Sequence, residues 1–334
     1  MRVLIVKTTS LGDVIHTLPA VTDAATARPG LRFDWVVEEP FAEIPAWHPA
    51  VDTVLPVALR RWRKTLWRES TRSEWKQFRR ELQRGHYDAV IDAQGLLKSA
   101  VITRLVQAPR YGLDKDSARE PLASRAYHHA VAVPRDLHAV ERTRMLFAAA
   151  LGYEVPPGRG DYGVRAGLKD CARAPVPSLL FFHGTARAEK LWPEERWVEL
   201  AALAGASGYT VWLPWGSDAE QARARRIAER ADSAEVLPRL DLKGIASLLM
   251  EVDGAVAVDT GLGHLAAALD VPTVSLYGPT QVGLIGAYGA NQLHIQSPVT
   301  TATTEDAEAM MRAIEAPVVW AGLESILPGE DLRT

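Results

Sequence analysis

The sequence predicts an α/β protein built from two Rossmann-like domains that face one another across a cleft. In both halves of the chain, short apolar runs alternate with longer helical patterns, as in parallel sheets that have helices on both faces. The alternation stops in a Pro-, Gly- and Ala-rich segment at 155–177 and then starts again, which predicts a linker there. The predicted domains are therefore 1–165 and 178–315, followed by a tail, 316–334, that packs back on the first domain.

In the first half, the apolar runs predict four strands. These are Val3–Val6, Phe33–Val37, Val51–Val57 and Tyr87–Asp92. A helix is predicted over 14–27, and the region from 108 to 140 is less regular. Ligands of open α/β sheets bind beyond the carboxyl ends of the strands, so the loops that follow these strands are where a site is expected.

The second half repeats the pattern with five strands, the last of which closes the series. The predicted strands are Ser178–His183, Thr210–Leu213, Glu235–Leu237, Ala255–Asp259 and Thr273–Tyr277. Helices are predicted at 194–206, 218–231, 242–251 and 262–269. Residues 302–325 are typical of a further helix.

The composition is typical of a globular protein without an internal disulfide framework. Of the 334 residues, 47% are hydrophobic and 24% are charged, and Cys171 is the single cysteine. The N-terminal apolar run is shorter than that of a secretion signal, and nothing approaches the roughly 20 apolar residues of a membrane-spanning helix. We therefore expect a soluble, cytoplasmic protein.

The net charge of −3 is unevenly distributed along the chain. Residues 1–170 carry 26 Lys/Arg and 20 Asp/Glu, whereas residues 171–334 carry 12 and 21. The most basic stretch, 60–84, has ten Lys/Arg against three acids and is interleaved with three tryptophans. Both a solvated helix face and a surface for a phosphosugar or a membrane fit this stretch. The aromatic spacing and the acidic chain argue against nucleic acid.

The loop after the first strand offers a carboxylate, Asp13. The loop has neither a dinucleotide-binding GxGxxG nor a P-loop, since Gly12 is its single glycine and Lys7 precedes the turn. An acid near the start of a helix is commonly an N-cap. A carboxylate held over the cleft would also be able to take a proton from a substrate hydroxyl. The residues alone leave both interpretations open.

Two loops of the second domain suit a phosphate. Thr185 and Lys190 follow its first strand, and Asp259–Leu265 follows its fourth strand and opens a helix. The backbone N–H groups and the dipole at the start of that helix favour an anion. A polar loop with an exposed lysine is the plainer interpretation of Lys190. Two such loops without a triphosphate motif favour a diphosphate, and hence a nucleotide-sugar.

The other candidate ligands are weaker. Glu220 would accept hydrogen bonds from ribose hydroxyls, although most glutamates in such a position are solvated. Asp114 and Asp116 imitate the metal-binding pair of some sugar transferases but lie far in sequence from the phosphate loops. His128 and His129 lack further ligands at suitable spacing. No metal ion and no cofactor is therefore predicted.

Several motifs resemble the bacterial heptosyltransferases, glycosyltransferase family nine. The motifs are KTTSLGDVIHTLP at 7–19, RRWRK at 60–64, YDAVIDAQGL at 87–96, AREPLAS at 118–124, HAVERTR at 138–144, DTGLGHLAAAL at 259–269 and YGPT at 277–280. The resemblance extends over nearly the whole chain. It implies a GT-B fold, ADP-L-glycero-D-manno-heptose as the donor and a Kdo residue on lipid A as the acceptor. It also implies inversion at the anomeric carbon without a metal.

The resemblance further implies roles for individual residues. Asp13 would be the base that deprotonates the Kdo hydroxyl, and Lys190 would neutralise the departing ADP. The donor would be held by Thr185, Glu220, Asp259, Thr260, Gly261, Leu262, Gly263 and His264. The anionic acceptor would be held by Ser10, Arg60, Arg61, Arg63, Lys64 and Arg119. Relatives often have a second hydroxyl after the first threonine, where this chain has Ala186.

Two alternatives stay open. A family member of type II or III would use the same donor on a heptose acceptor, although the cluster at 60–64 favours an acceptor with more negative charge. A nucleotide-sugar epimerase or a nucleotide-binding module would need no basic surface in the first domain. We expect a monomer that contacts the inner membrane peripherally and binds no nucleic acid.

Overall fold

The chain contains two six-stranded parallel sheets, one in each half. The computed structural model describes residues 1–168, 174, 176–299 and 307–328. Contacts divide the chain into two units, Met1–Gly167 and Leu168–Thr334. The division lies within the predicted linker, whose Cys171 is outside the described residues.

The first unit has the sheet order of a Rossmann domain. Its strands are β1 (Arg2–Val6), β2 (Arg32–Glu38), β3 (Val51–Val57), β4 (Ala89–Asp92), β5 (Arg110–Leu113) and β6 (His129–Val131). Their order is β3-β2-β1-β4-β5-β6, with every neighbouring pair parallel. Val3 to Val6 are fully buried, as expected for an inner strand of a parallel sheet whose two faces are covered by helices. The order reverses between β1 and β4, which is where such sheets bind ligands.

Seven helices surround this sheet. They are α1 (Leu11–Ile15), α2 (Leu18–Ala27), α3 (Glu43–Ala46), α4 (Leu59–Trp62), α5 (Glu69–Arg84), α6 (Leu97–Thr103) and α7 (Ala139–Leu151). The single helix predicted over 14–27 is wrong, since two helices occupy this segment. Pro19 explains the break: it lacks the N–H that would donate to the carbonyl of Ile15 in a continuous helix.

The second unit repeats the same sheet. Its strands are β7 (Ser178–Phe182), β8 (Thr210–Leu213), β9 (Ala234–Val236), β10 (Gly254–Val258), β11 (Thr273–Tyr277) and β12 (Gln292–Gln296). The order is β12-β11-β10-β7-β8-β9, so the reversal lies between β7 and β10. The prediction that Thr273–Tyr277 closes the series is wrong, because β12 pairs with β11. The alternation of polar and apolar residues in β12 fits an edge strand but gives no continuous apolar run.

Seven α-helices are described in the second unit. They are α8 (Glu194–Ala206), α9 (Asp218–Ala228), α10 (Leu242–Glu251), α11 (Gly261–Ala268), α12 (Val282–Ile285), α13 (Ala307–Arg312) and α14 (Ala316–Glu324). No helix among the described residues has the length and hydropathy needed to cross a bilayer.

The C-terminal segment forms two helices, α13 and α14. The sequence predicts that 316–334 packs on the first domain, but α14 packs on α8 and on the second sheet. Its residues Val319 and Leu323, one turn apart, are fully buried in the second core. Residues 302–306 of the predicted helix and 329–334 of the tail lie outside the described residues.

Candidate active site

Asp13 follows β1 and projects from the first turn of α1. Its Oδ2 accepts hydrogen bonds from the backbone N–H and the hydroxyl of Ser10, at 2.8 and 2.9 Å. The N-cap residue is Ser10, and Asp13 is the third residue of the helix. The Lys7 ammonium lies 3.6 Å from Oδ1. The Asp13 side chain is 38% exposed, so these contacts orient a carboxylate that remains accessible to solvent.

The loop after β4 holds the Asp13 loop in place. The side-chain carbonyl of Gln94 accepts hydrogen bonds from the backbone N–H groups of Thr8 and Thr9, at 2.9 and 3.0 Å. Lys7, 92% buried, donates from its ammonium to the carbonyl of Ala93 at 2.9 Å. Loops after β1 and β4 therefore meet at the point where the strand order reverses, as the sheet topology requires.

Lys98 is a cation of this site that the sequence analysis missed. Its ammonium donates to Thr9 Oγ1 at 2.8 Å. Burial lowers the pKa of Lys98, while the nearby carboxylates of Glu38 and Asp13 act in the opposite direction. Lys98 follows the end of a strand. From a single sequence, however, an isolated lysine at the start of a helix cannot be distinguished from a solvated lysine.

A cavity of about 700 Å³ adjoins Lys98. Its lining residues are Leu59, Arg60, Trp62, Arg63, Leu66, Thr71, Arg72, Trp75, Lys76 and Lys98. Five of these side chains are cationic and none is acidic. The rings of Trp62 and Trp75 lie edge to face, with centroids 5.8 Å apart. A cavity with an apolar wall and five cations suits an anionic amphiphile.

The predicted acceptor cations do not all lie in this cavity. Arg60 and Arg63 line it. Arg61 instead forms ion pairs with Glu74 at 2.9 Å and Glu39 at 3.2 Å, and these contacts raise the pKa of its guanidinium above the ordinary value. Arg61 therefore meets carboxylates of its own chain.

Lys64 and Arg119 are exposed and are not among the residues that line the cavity. Lys64 lies in the turn after α4. Arg119 lies in the loop after β5, and its backbone nitrogen is 3.7 Å from the position that a Cβ on Gly95 would occupy. Arg119 is thus at the same sheet edge as the β4 loop, whereas Lys64 belongs to the outer surface of the α4 turn.

In the second unit, Asp259 organises the loop after β10. Its Oδ2 contacts both the Lys190 ammonium and the Thr280 hydroxyl, each at 2.5 Å. Its backbone carbonyl accepts a hydrogen bond from Thr185 Oγ1 at 3.0 Å. Two of the predicted donor residues, Thr185 and Asp259, therefore form one cluster with Lys190, the predicted leaving-group cation. Thr280, 92% buried, was missed as a site residue although its motif YGPT was recognised.

The helix α11 begins directly after this cluster. Thr260 is its N-cap residue, and the segment from Thr260 to Leu262 is half-buried while Gly263 and His264 are buried. A Cβ on Gly263 would lie 3.1 Å from the Cβ of Ala257, so this glycine allows α11 to pack closely on β10. The N–H groups at the start of α11 and the ammonium of Lys190 offer an anion a combined positive field.

Glu220 lies near the loop after β7 and also caps α9. Its Oε2 accepts hydrogen bonds from the backbone N–H groups of Gly216 and Ser217, at 2.7 and 3.1 Å. Its Oε1 lies 2.6 Å from the position that a Cβ on Gly184 would occupy. The Glu220 carboxylate therefore lies against Gly184, the glycine between β7 and Thr185.

The residues described here do not form a metal site. Within the described ranges, no three His, Cys, Asp or Glu side chains are grouped so that they could hold a metal ion. Asp114 Oδ1 instead accepts hydrogen bonds from the backbone N–H groups of Ser117 and Asp116, at 2.8 and 3.2 Å. These bonds close a local turn.

Comparisons with known proteins show where this chain belongs. The family described as glycosyltransferase family 9 (heptosyltransferase) matches residues 75–314. Lipopolysaccharide heptosyltransferase 1 of Pseudomonas aeruginosa is 60% identical over 299 residues, which are 89% of this chain and 84% of the relative.

Two solved structures extend the likeness to the fold. The E. coli heptosyltransferase WaaC with ADP has a TM-score of 0.90 and 48% identity, over 97% of this chain and 99% of that chain. The same enzyme with ADP-2-deoxy-2-fluoro heptose has a TM-score of 0.88 and 47% identity over the same shares. The predicted α/β architecture of GT-B type is thereby confirmed. The chain is a glycosyltransferase and belongs to glycosyltransferase family 9, the heptosyltransferase family.

Proposed function

We propose that this enzyme transfers L-glycero-D-manno-heptose from ADP-heptose to Kdo of Kdo2-lipid A in the synthesis of the lipopolysaccharide inner core. The observation that carries the proposal is the oriented Asp13 carboxylate in a unit whose neighbouring cavity is lined by five cations. The identity of 60% to a lipopolysaccharide heptosyltransferase 1 supports the same activity.

The donor would bind to the second unit. A solved relative holds ADP and another structure holds a fluorinated ADP-heptose, at 48% and 47% identity. In this chain the diphosphate would contact Lys190, Thr185 and the N–H groups at the start of α11, and the ribose would contact Glu220. Asp259 and His264 would contact the heptose or the phosphates. Lys190 would share its ammonium between Asp259 and the diphosphate.

The acceptor would bind to the first unit. Its carboxylate and phosphate groups would meet Arg60, Arg63 and Lys98 in the cavity, and Ser10 would lie beside the reacting hydroxyl. Lys64 and Arg119 would contact the acceptor from outside the cavity. Arg61 would contribute only after exchange with Glu39 or Glu74, which makes it the weakest of the proposed contacts.

The reaction is a displacement with inversion. The acceptor hydroxyl gives its proton to Asp13 while its oxygen bonds to the anomeric carbon of the heptose. The bond from that carbon to the phosphate oxygen breaks, and its electron pair leaves with ADP. Lys190 and the start of α11 stabilise the charge that develops there, an effect typically worth about a hundredfold or more in rate. Proton removal by a positioned carboxylate adds about a hundred- to ten-thousandfold.

No metal is required by this mechanism, because a cation and backbone dipoles take the role of the metal at the leaving group. We further propose that the enzyme works as a monomer in the cytoplasm, in peripheral contact with the inner membrane where its acceptor lies. It binds no nucleic acid.

The decisive experiment is acceptor-dependent release of ADP from ADP-heptose in the presence of EDTA. Deacylated Kdo2-lipid A is the test acceptor, and the same deacylated lipid A without Kdo is the matched control. Release with the first and not with the second supports the proposal. Release only when the acceptor already carries a heptose would assign a later core step, and no release with any acceptor would reject transferase activity on this pathway. Loss of release on adding EDTA would reject the metal-free mechanism.

A further inference from the structure

The first unit carries an exposed apolar surface that its core does not explain. Five of the large apolar side chains exposed in the described part of the chain lie on three segments near the cation-lined cavity. They are Leu66 (60% exposed), Trp67 (74%), Leu97 (47%), Val101 (57%) and Leu122 (57%). Isolated exposed apolar residues are ordinary, but a group on adjoining elements marks an interaction surface.

These residues lie on neighbouring elements. Leu97 and Val101 are one turn apart on α6 and so share a face. Leu122 lies on the 3-10 helix Pro121–Ala126, which packs on α6. Alanines make that contact possible, since Ala100 of α6 forms a buried cluster with Ala123 and Ala126. The small residues face inward, and the large apolar ones face solvent.

The α4–α5 connection continues the surface. Leu66 and Lys98 line the same cavity, so the segment with Leu66 and Trp67 lies next to α6, on which Lys98 sits between Leu97 and Val101. The apolar surface therefore borders the opening of the cavity in which the acceptor is proposed to bind.

Exposed cations are interspersed with these side chains. Lys64 and Arg68 flank Leu66 and Trp67 in the chain. Arg125 follows Leu122 by three residues, which in a 3-10 helix places both on one side. Arg104 follows Val101 by three residues at the end of α6. Large apolar side chains among exposed Lys and Arg are the pattern of proteins that lie in the interface of an anionic bilayer.

We infer that Leu66, Trp67, Leu97, Val101 and Leu122 insert into the interface of an anionic lipid bilayer, and that the surrounding cations contact its headgroups. The charge pattern favours this occupant, because a symmetric contact with a second copy would bring two surfaces of the same positive charge together. This docking holds the cavity at the membrane surface, so that a lipid-anchored acceptor enters it without leaving the bilayer. The inference rests on the proposed function only for the nature of that acceptor.

The test is sedimentation with vesicles, using two sets of neutral substitutions. The first triple variant, Trp67→Ser, Val101→Ser and Leu122→Ser, removes apolar side chains that contact neither the cavity nor Asp13. The matched control, Val176→Ser, Ile285→Ser and Val318→Ser, removes three exposed apolar side chains of the second unit. Thermal unfolding of both triples shows that they are folded. Vesicles contain phosphatidylglycerol mixed with phosphatidylcholine, or phosphatidylcholine alone.

The wild type and the control triple are expected to bind the anionic vesicles. The first triple variant should bind them at least about tenfold more weakly, because three apolar side chains no longer transfer from water into the bilayer interface. Binding by the wild type should also weaken when the salt is raised from about 0.1 to about 0.5 M. Equal binding of the first triple and the wild type overturns the inference. An equal loss of vesicle binding in both triple variants also overturns the inference, and so does a wild type that does not bind anionic vesicles.

A second readout separates this inference from the proposed function. With water-soluble deacylated acceptor, the first triple should turn over like the wild type, whereas with acceptor embedded in vesicles it should be slower. A wild type that has no activity on the soluble acceptor, yet binds anionic vesicles through this surface, would reject the proposed function and keep the docking surface. Normal turnover of the first triple on both acceptors would reject the docking surface alone.

Discussion

Asp13 and Asp259 each lie at the end of a strand beside the reversal of strand order in their own sheet, yet their surroundings differ. Asp13 follows β1 and Asp259 follows β10, and these strands flank the reversal of strand order in their units. The Asp13 side chain is 38% exposed, and the Lys7 ammonium lies 3.6 Å from its Oδ1. The Asp259 side chain is 9% exposed and contacts Lys190 and Thr280 at 2.5 Å.

This difference fits the different tasks that we propose for the two carboxylates. A base must be reached by the hydroxyl that it deprotonates, and more than a third of the Asp13 side chain is exposed. A carboxylate in close contact with an ammonium and a hydroxyl instead fixes the position of that ammonium. The first unit therefore presents a candidate base, and the second presents a positioned cation. Substitutions at each site can separate these roles.

The largest effect is expected for Asp13→Asn. The amide keeps the shape and can still accept the Ser10 hydrogen bonds, but it takes up no proton, so kcat should fall about a hundred- to ten-thousandfold. Steady-state kinetics measures the fall, and calorimetry should show an unchanged Kd for ADP. The paired variant Asp259→Asn should instead weaken ADP binding, because Lys190 loses its partner. A loss of ADP affinity in Asp13→Asn with kcat intact would reverse the assignment.

Lys190→Met should lower kcat by about a hundredfold, because the departing diphosphate loses a positioned cation. The loss should be partly restored in Lys190→Arg, which keeps the charge. The matched control is Lys243→Met, which removes an exposed ammonium from α10 in the same unit. Stopped-flow release of ADP measures all three variants. Equal activity of Lys190→Met and the control would remove the lysine from the leaving-group site.

Continuous apolar runs made the central strands predictable from sequence. Thr210–Leu213 and Thr273–Tyr277, which have a strand on each side, have the bounds that were predicted. The edge strand β12 was missed because Gln292, His294 and Gln296 interrupt its apolar pattern, and an edge strand needs burial on fewer sides. Proline is favoured in the first positions of a helix, so Pro19 indicates that a second helix begins there. The apolar pattern over 14–27 does not show this break.

Two contacts of the candidate site could not be predicted from the sequence, for a different reason. Thr280 meets Asp259 across 21 residues, and Lys98 meets Thr9 across 89. Such contacts depend on which loops share a sheet edge, and spacing along the chain does not contain that information. Conversely, Arg61 has the same residue type and neighbourhood as Arg60, yet its partners Glu39 and Glu74 are visible only in the fold.

Gly184→Ala should reduce nucleotide affinity about tenfold. The added Cβ would lie 2.6 Å from Glu220 Oε1, so the carboxylate must move and weaken its bonds to Gly216 and Ser217, each worth on the order of 1 kcal/mol. The matched control is Gly283→Ala, where a Cβ meets nothing within 4 Å. Calorimetry with ADP and with free diphosphate checks the assignment, since only ADP carries the ribose. Equal losses for both ligands would place Glu220 away from the ribose.

The smallest effect concerns two buried histidines, one in each unit. Burial lowers the pKa of His48 and of His183 to about 4, from an ordinary value of 6.5. In His48 the geometry agrees: Nδ1 accepts a hydrogen bond from the Ala50 N–H at 3.1 Å, so a proton there would oppose that donor. The neutral ring is therefore the folded form.

The direction of the pH dependence follows from these pKa values. Between about 6.5 and about 4 the unfolded chain binds more protons than the folded one, so stability is complete above this window and falls as the pH decreases through it. Each histidine should contribute on the order of 1 kcal/mol of loss between about pH 7 and about pH 5.5. Urea unfolding at the two pH values measures the loss of stability. Hydrogen exchange of the core amides follows each unit separately. His48→Gln should reduce the loss in the first unit and leave the loss in the second unit unchanged. An unchanged loss in His48→Gln would mean that other groups set the acid sensitivity of the first unit.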